Sequence, residues 1–232
     1  MKQEYANQIL AQSRAGYEKI TDDFSRTRGK FWDELSFIVD LIPKKARILD
    51  VGCGNGRFLG ALDDKEITYA GIDFSEGLIA IARDRYRKRP STTFFVGDAL
   101  ALPFSDNSFE TVVSFAVLHH IPSRAYRVQF LREMARMVRP GSLIVLTAWN
   151  VWHSKPRIIL AHVFKKITRR SRLDFGDAFL KFGKEQNARF VHALSKRELA
   201  SLARQAGLAI EKIEVIRRPS GEENFLMILK KN

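Results

Sequence analysis

The chain has 232 residues, 45% of them hydrophobic and 28% charged, a composition that fits one globular domain with a full core and excludes disordered and collagen-like classes. Lys plus Arg number 39 against 26 Asp plus Glu, and the formal net charge of +13 points to a polyanionic partner. The single cysteine, Cys53, rules out an intrachain disulfide and a cysteine-cluster zinc site, and neither the N-terminus nor any apolar run reads as a signal peptide or membrane span; the expectation is a cytoplasmic protein with no metal site and no integral membrane association.

Residues Tyr5 to Ile42 read as two helices, with Phe24, Phe31, Trp32, Leu35, Ile38 and Val39 at roughly helical spacing. Between them Asp22 to Arg28, with its Ser and Thr, reads as a turn or cap and so as a loop at the mouth of a site. Ile48 to Val51 is a first strand, Gly52 to Gly56 a glycine-rich turn, and Phe58, Leu59, Ala61 and Leu62 the apolar side of a helix. A second strand, Thr68 to Ile72, delivers Asp73. Ser75 is a candidate N-cap of a helix burying Leu78, Ile79, Ile81, Ala82 and Tyr86, with Arg83, Arg85, Arg87, Lys88 and Arg89 facing solvent or nucleic acid. Thr93 to Val96 is a third strand, closed by Gly97, Asp98, Ala99 and Leu100. Thr111 to Phe115 is a fourth, running into Ala116, Val117, Leu118, His119 and His120, and Leu143 to Ala148 is a fifth. Ser195 and Glu198 form a capping box for a helix that stops at Gly207, and strands Ala209 to Ile216 and Asn224 to Leu229 flank a Pro219, Ser220, Gly221 turn.

The order predicts a doubly wound α/β sheet with a closing antiparallel hairpin. A glycine turn between a parallel strand and a helix lets a ligand approach the backbone and offers it free N–H groups. An acid some twenty residues on, Asp73, is placed to accept from ribose hydroxyls. Asp98, ending the next strand, should point into the same crevice, where it can accept from an exocyclic amine such as that of adenine. A dinucleotide fingerprint would need glycine at position 57, where Arg57 stands.

Asp50-x-Gly52-x-Gly54-x-Gly56 resembles motif I of class I S-adenosylmethionine (SAM) methyltransferases, and Leu102, Pro103, Phe104 after Asp98 resemble their motif II. The resemblance covers nearly the whole chain and implies a Rossmann-like fold with a seven-stranded, mostly parallel sheet, a C-terminal antiparallel hairpin and helices on both faces. It implies SAM as cofactor, with Asp50, Gly52, Gly54 and Gly56 at the methionine end, Asp73 at the ribose, Asp98 and Ala99 at the adenine, and Tyr17, Cys53, Asn55, Phe74, Gly97, Leu100, Phe115 and Ala116 completing the pocket. The expected organisation is a helical lead-in over residues 1–43, a SAM-binding core over 44–150, a basic insertion or lid over 151–190, and a C-terminal helix and hairpin of the same domain over 191–232.

Three stretches outside or around those motifs resemble the Trm9 and AlkB-homologue-8 tRNA wobble-uridine methyltransferases: Tyr17 to Trp32; Gly52 to Leu59 with Ala116 to His120 and Trp149; and Arg189, Phe190, Val191, His192 before Glu198 and Leu199. Val191 departs from that pattern, where a tyrosine is expected. The resemblance implies methyl-ester formation on a carboxymethylated wobble uridine, tRNA as partner, a possible small activator subunit, and Arg28, His120, Arg189 and His192 as the catalytic set. Segment Trp152 to Arg189 carries ten cations against Asp174, Asp177 and Glu185, a net of +7, with Phe164, Phe175, Phe179 and Phe182 interleaved. That suits RNA contact through Lys155, Lys165, Lys166, Arg169, Arg170 and Arg172; the competing readings are a lid with its own small core, and an amphipathic basic helix over Ile158 to Ile167 on an anionic membrane. The rival functions are methylation of a small lipid-like or phenolic metabolite, and a non-catalytic RNA-binding module.

Overall fold

The computed structural model describes residues 1–168, 170–182 and 187–232. Five strands, β1 (Arg47–Val51), β2 (Thr68–Asp73), β3 (Thr92–Val96), β4 (Phe109–Phe115) and β5 (Val138–Trp149), run parallel. A C-terminal pair, β8 (Leu208–Arg217) and β9 (Glu223–Lys231), joins them antiparallel, giving the order β3-β2-β1-β4-β5-β9-β8. The winding reverses between β1 and β4, which is where an open α/β sheet leaves a crevice at its carboxyl ends.

Alternation along the strands sends side chains to two cores. Ile48, Val113, Val145 and Leu226 pack with Ile79 and Ala82 of α3 (Glu76–Arg85) and with Leu35 and Ile38. Their neighbours Leu49, Val112, Ile144 and Met227 pack with Leu131 and Met134 of α4 (Arg124–Met137) and Leu202 of α7 (Lys196–Gln205). Helices thus cover both faces of a seven-stranded, mostly parallel sheet, as expected.

Three elements differ from the sequence expectation. Following α1 (Gln3–Lys19), the segment read as a loop is a helix, α2 (Thr21–Thr27). Asp22 and Asp23 lie in its first turn, where the helix dipole favours them, and the Thr27 hydroxyl donates to the Asp23 carbonyl at 2.8 Å instead of breaking the turn. The second N-terminal helix is a 3-10 run, Asp33–Leu41, whose tighter period stacks Leu35 and Ile38 on one buried face. The helix after the glycine turn shrinks to a 3-10 segment, Leu59–Leu62. Arg89 takes its carbonyls, donating to Leu59 at 3.0 Å and Leu62 at 2.6 Å, while Arg85 donates to the Asn55 carbonyl. Arg85 is exposed as expected and also braces the turn, whereas Arg89, expected to face solvent or nucleic acid, is half-buried against the 3-10 segment.

The insertion comprises α5 (Val151–Ser154), α6 (Pro156–Ile167) and a separate hairpin of β6 (Asp177–Phe182) and β7 (Asn187–His192). Its core is small: Ile159 packs with Val151, Ala178, Leu180 and Val191. Ile9 of α1 meets Leu173 and Phe190, so the lead-in and the insertion close over the sheet together. Phe164 and Phe175 are exposed, whereas Phe179 packs edge-on against Phe190 at 5.9 Å. Of the described residues expected to contact RNA, Lys155, Lys165, Arg170 and Arg172 are exposed and Lys166 is half-buried; Arg169 lies outside the described residues.

Candidate active site

A cavity of about 1180 Å³ opens at the carboxyl ends of the parallel strands, roofed by the lead-in and the insertion. It collects Tyr17, Asp50, Gly52, Cys53, Gly54, Asn55, Asp73, Phe74, Gly97, Asp98, Ala99, Leu100, Phe115 and Ala116 from the expected cofactor set, and Arg28, His120 and Arg189 from the expected catalytic set. Gly56 does not line it. Its φ of +73° closes the turn from behind, where an added Cβ would come within 3.0 Å of Tyr86. The described basic residues of α6 and the segment after it also lie outside the lining.

The turn works by shape. Gly52 has a φ of +75°, and a Cβ there would sit 2.3 Å from Val117, so the wall closes only over glycine. The expected cradle of free N–H groups is not formed: Gly52 and Cys53 donate to the Ile72 carbonyl, Gly54 to the Asp73 carboxylate at 2.9 Å, and Gly56 to the Cys53 carbonyl. Asn55 ties the turn to the lead-in, donating to Ser25 Oγ and to the Arg28 carbonyl. Ala116 ends β4 at a φ of +59°, held by its N–H donating to Thr147.

Three acids meet the cavity differently. Asp73 is buried and accepts from Gly54 and Ser75 through separate oxygens; burial raises its pKa while those bonds oppose the rise. Asp98 accepts from Leu100 N–H at 2.8 Å. Asp50, also buried, accepts from the Tyr69 hydroxyl at 2.6 Å on Oδ2, while Oδ1 has no hydrogen-bond partner, and burial pushes its pKa up to about 7.

The opposite wall is aromatic and cationic. Tyr17 stands edge-on to Phe24, Phe74 and His120 at 5.6–6.1 Å. Arg28 lies over Phe24 and donates to Thr27 Oγ1, and Arg189 lies over Trp149. His120 donates through Nδ1 to the Phe190 carbonyl at 2.9 Å, which leaves the lone pair on Nε2; burial, with Arg189 beside it, lowers its pKa to about 3. His119 is the hydrogen-bonded core histidine of the pair, its Nδ1 accepting from Trp149 N–H.

His192 is corrected. It is buried outside the cavity lining, with Nδ1 donating to Asp177 at 2.6 Å and Nε2 donating to Glu198 at 3.0 Å. Burial opposes its charge, but two carboxylates outweigh burial and raise its pKa. Glu198 also pairs with Arg127 at 3.4 Å, so its carboxylate does not make the return bond of a capping box, although Ser195 caps α7 as expected. Sequence reasoning missed Arg57, which lines the cavity and lies 3.8 Å over the Trp32 ring. Its place immediately after Gly56 was the available signal.

A glycine-turned Rossmann-like crevice with an acid at the end of β2 and another just beyond β3 defines a nucleotide-type binding site. Residues 49–146 match a family model described as a methyltransferase domain. The chain is 35% identical over 149 residues to the tRNA (carboxymethyluridine(34)-5-O)-methyltransferase ALKBH8 of Macaca fascicularis, covering 64% of this chain and 20% of that one. It is 34% identical over 156 residues to the tRNA (carboxymethyluridine(34)-5-O)-methyltransferase of Saccharomyces cerevisiae, covering 67% of this chain and 52% of the relative. A SAM-dependent methyltransferase structure from Methanosarcina mazei superposes with a TM-score of 0.71 at 25% identity, over 87% of this chain and 98% of the other. The domain is of the SAM-dependent methyltransferase class, and SAM is its cofactor. The residues present fit that group: a turn closed over glycine, Asp73 at the end of β2, and an Asp50 oxygen without a partner at the cavity wall.

Proposed function

We propose that the chain methylates a carboxylate on RNA, forming the methyl ester of a carboxymethylated wobble uridine in cytoplasmic tRNA. The observation that carries this reading is that Arg28 and Arg189 line the same cavity as a histidine too weakly basic to deprotonate a phenol or an amine. The names of the relatives support the substrate class.

Bound SAM supplies an electrophilic methyl group. Asp73 would hold the ribose, Asp98 and Ala99 the adenine, and Asp50 with the glycine turn the methionine end. A carboxylate nucleophile, with a pKa of about 4, is ionised at neutral pH and needs no general base. Catalysis then reduces to alignment, where positioning contributes roughly 7–11 kcal/mol. Arg28 and Arg189 would hold the nucleophile, the planar guanidinium being matched to a carboxylate. His120, neutral at physiological pH, would shape the pocket without moving a proton.

Exposed Lys155, Lys165, Arg170 and Arg172, with half-buried Lys166, would take tRNA phosphates outside the cavity, and Phe164 and Phe175 offer exposed rings for unpaired bases. The reading includes the small activator subunit implied by the family resemblance. Incubation with labelled SAM and bulk tRNA, followed by nucleoside analysis, tests the function directly. Label should appear in a base-labile ester on a wobble nucleoside, and label found only in small-molecule extracts would transfer the assignment to the metabolite-methylating rival. Glutamate at Lys165, Lys166 and Arg170 together should remove salt-sensitive tRNA binding; survival of that binding would move the phosphate contacts elsewhere.

A further inference from the structure

Arg28 and Arg189 reach the cavity on different supports. Arg28 ends α2, and Asn55 of the glycine turn donates to its carbonyl at 3.1 Å, so the turn itself holds that backbone. Arg189 comes on β7, which with β6 forms a two-stranded sheet of its own, and a hairpin of that size is marginal without an anchor. The two guanidinium groups also disfavour each other: burial lowers the Arg28 pKa, and the charge of Arg189 lowers it further. Keeping both in one cavity therefore requires β7 to be fixed. The fixing point is His192, three residues beyond Arg189 and on the opposite face of the strand. Its ring bridges Asp177 of β6 at 2.6 Å and Glu198 of α7 at 3.0 Å, joining the hairpin to the helix. From Glu198 the path runs to Arg127 at 3.4 Å, and from Arg127 to the Ile121 carbonyl at 3.1 Å. Ile121 follows His120, whose Nδ1 donates to the Phe190 carbonyl at 2.9 Å. The path thus leaves β7 at His192 and returns to it at Phe190, the residue next to Arg189. Since side chains alternate along a strand, a slip of one residue would turn Arg189 out of the cavity.

We propose that His192 is a positioning residue for the substrate: its bonds to Asp177 and Glu198 lock β7 to α7 in the register that aims Arg189 into the cavity beside Arg28. This deepens the reading above and rests on it, Arg28 and Arg189 being the grip on the nucleophilic carboxylate. His192 itself lies outside the cavity lining. The effect of its loss on the carboxylate passes through Arg189 and leaves the cofactor, seated on the sheet and the glycine turn, in place. A two-bond guanidinium–carboxylate pair depends on angle as well as distance, so a small displacement of the strand loses most of it.

The test is a double-mutant cycle read by binding, with saturating S-adenosylhomocysteine, the demethylated product of SAM, so that no turnover occurs. The probes are an RNA stem-loop carrying carboxymethyluridine at the wobble position and the same stem-loop with uridine there. Titration with S-adenosylhomocysteine counts the folded protein in each sample, so lost stability is not read as lost affinity. Wild type should prefer the carboxymethyl probe by about tenfold or more. Arg189→Ala and His192→Gln should each lower that preference to about threefold or less, and the double variant should go no lower than Arg189→Ala alone. In His192→Gln, affinity for the uridine probe and for S-adenosylhomocysteine should stay within about twofold of wild type. Glu198→Ala cuts the same anchor from the α7 side and leaves the histidine in place; it should repeat the loss, and it decides the question if His192→Gln fails to fold. A preference lost in Arg189→Ala but kept in both anchor variants overturns the proposal, and so does a double variant in which the two losses multiply. His192→Gln weakening both probes equally makes His192 a stabilising residue only and overturns it too. A wild type without preference refutes the carboxylate reading itself, and a preference that survives Arg189→Ala moves the grip off Arg189; the proposal falls with either.

Discussion

The molecule contains two charge clusters that differ in how their charges are paired. At the base of the insertion, Asp177 of β6, His192 of β7, Glu198 of α7 and Arg127 of α4 form a chain in which each charge meets an opposite one, although Arg127 Nε has no hydrogen-bond partner. Arg127 adds a bond to the Ile121 carbonyl at 3.1 Å, so three elements beyond the sheet are pinned together. At the cavity, Asp50 and Arg57 stay apart, Asp50 with an Oδ1 that has no hydrogen-bond partner and Arg57 with, among the described residues, the Trp32 face as its contact. The first cluster pairs its charges within the protein, and the second leaves them apart at the cavity wall. The family resemblance pointed to His192, which lies outside the cavity lining, and passed over Arg57, which lies within it.

The largest effect expected from this contrast is on stability. His192→Gln removes one member of a buried network and should cost about 3–5 kcal/mol in denaturant unfolding. The loss has a pH signature. His192 has a folded-state pKa above its ordinary value of 6.5, so its contribution is complete below about pH 6.5 and fades as the pH rises through the raised value. The gap between wild type and variant should therefore be wide at pH 6 and narrower at pH 9, and a gap that is constant with pH would mean that His192 is not charged.

Asp73→Ala comes next. It deletes the acceptor proposed for the ribose, and a charged hydrogen bond contributes roughly 1.5–3 kcal/mol, so S-adenosylhomocysteine affinity should fall at least about tenfold. Unchanged affinity would remove Asp73 from the cofactor site. A gentler probe is pH. Burial holds the Asp50 pKa near 7, and an ammonium ligand needs the ionised form. The dissociation constant should rise by up to about tenfold per pH unit as the pH falls below about 7, and Asp50→Asn should abolish that rise. The smallest expected effect is none. At saturating cofactor, single-turnover methylation should be flat from about pH 6 to 9, because the nucleophile is already ionised and His120 stays neutral. A rate climbing through neutrality, and losing that climb in His120→Ala, would restore the histidine as a base.

Much of this arrangement is legible in the sequence because it is local. Strand alternation, the glycine turn and the strand-end acids Asp73 and Asp98 are set by neighbours in the chain, and each lies where the spacing puts it. What escaped is decided over long separations. The 3-10 segment after Gly56 gives its carbonyls to Arg89, thirty residues beyond Leu59, and α2 carries Asp22 and Asp23 in its first turn where Ser and Thr suggested a loop. The Ser195–Glu198 spacing gave the cap and hid the partner, since Glu198 turns to His192 and Arg127. Arg57 was weighed only as a missing glycine, because no periodicity announces a guanidinium laid on Trp32, twenty-five residues before it.

Thermal unfolding of wild type, His192→Gln and Arg57→Gln, each with and without S-adenosylhomocysteine, tests the contrast most directly. A ligand at a hundred times its dissociation constant adds about 2.7 kcal/mol, which for a chain of this size raises Tm by roughly 5–10 °C. His192→Gln should unfold at a lower temperature in the absence of ligand and keep the full ligand-induced rise. Arg57→Gln should unfold near wild type without ligand and, with affinity about tenfold weaker, lose about half of the rise at the same ligand concentration. The reverse pattern, a cold-shifted Arg57→Gln that still responds fully and an unshifted His192→Gln that does not, would contradict the account.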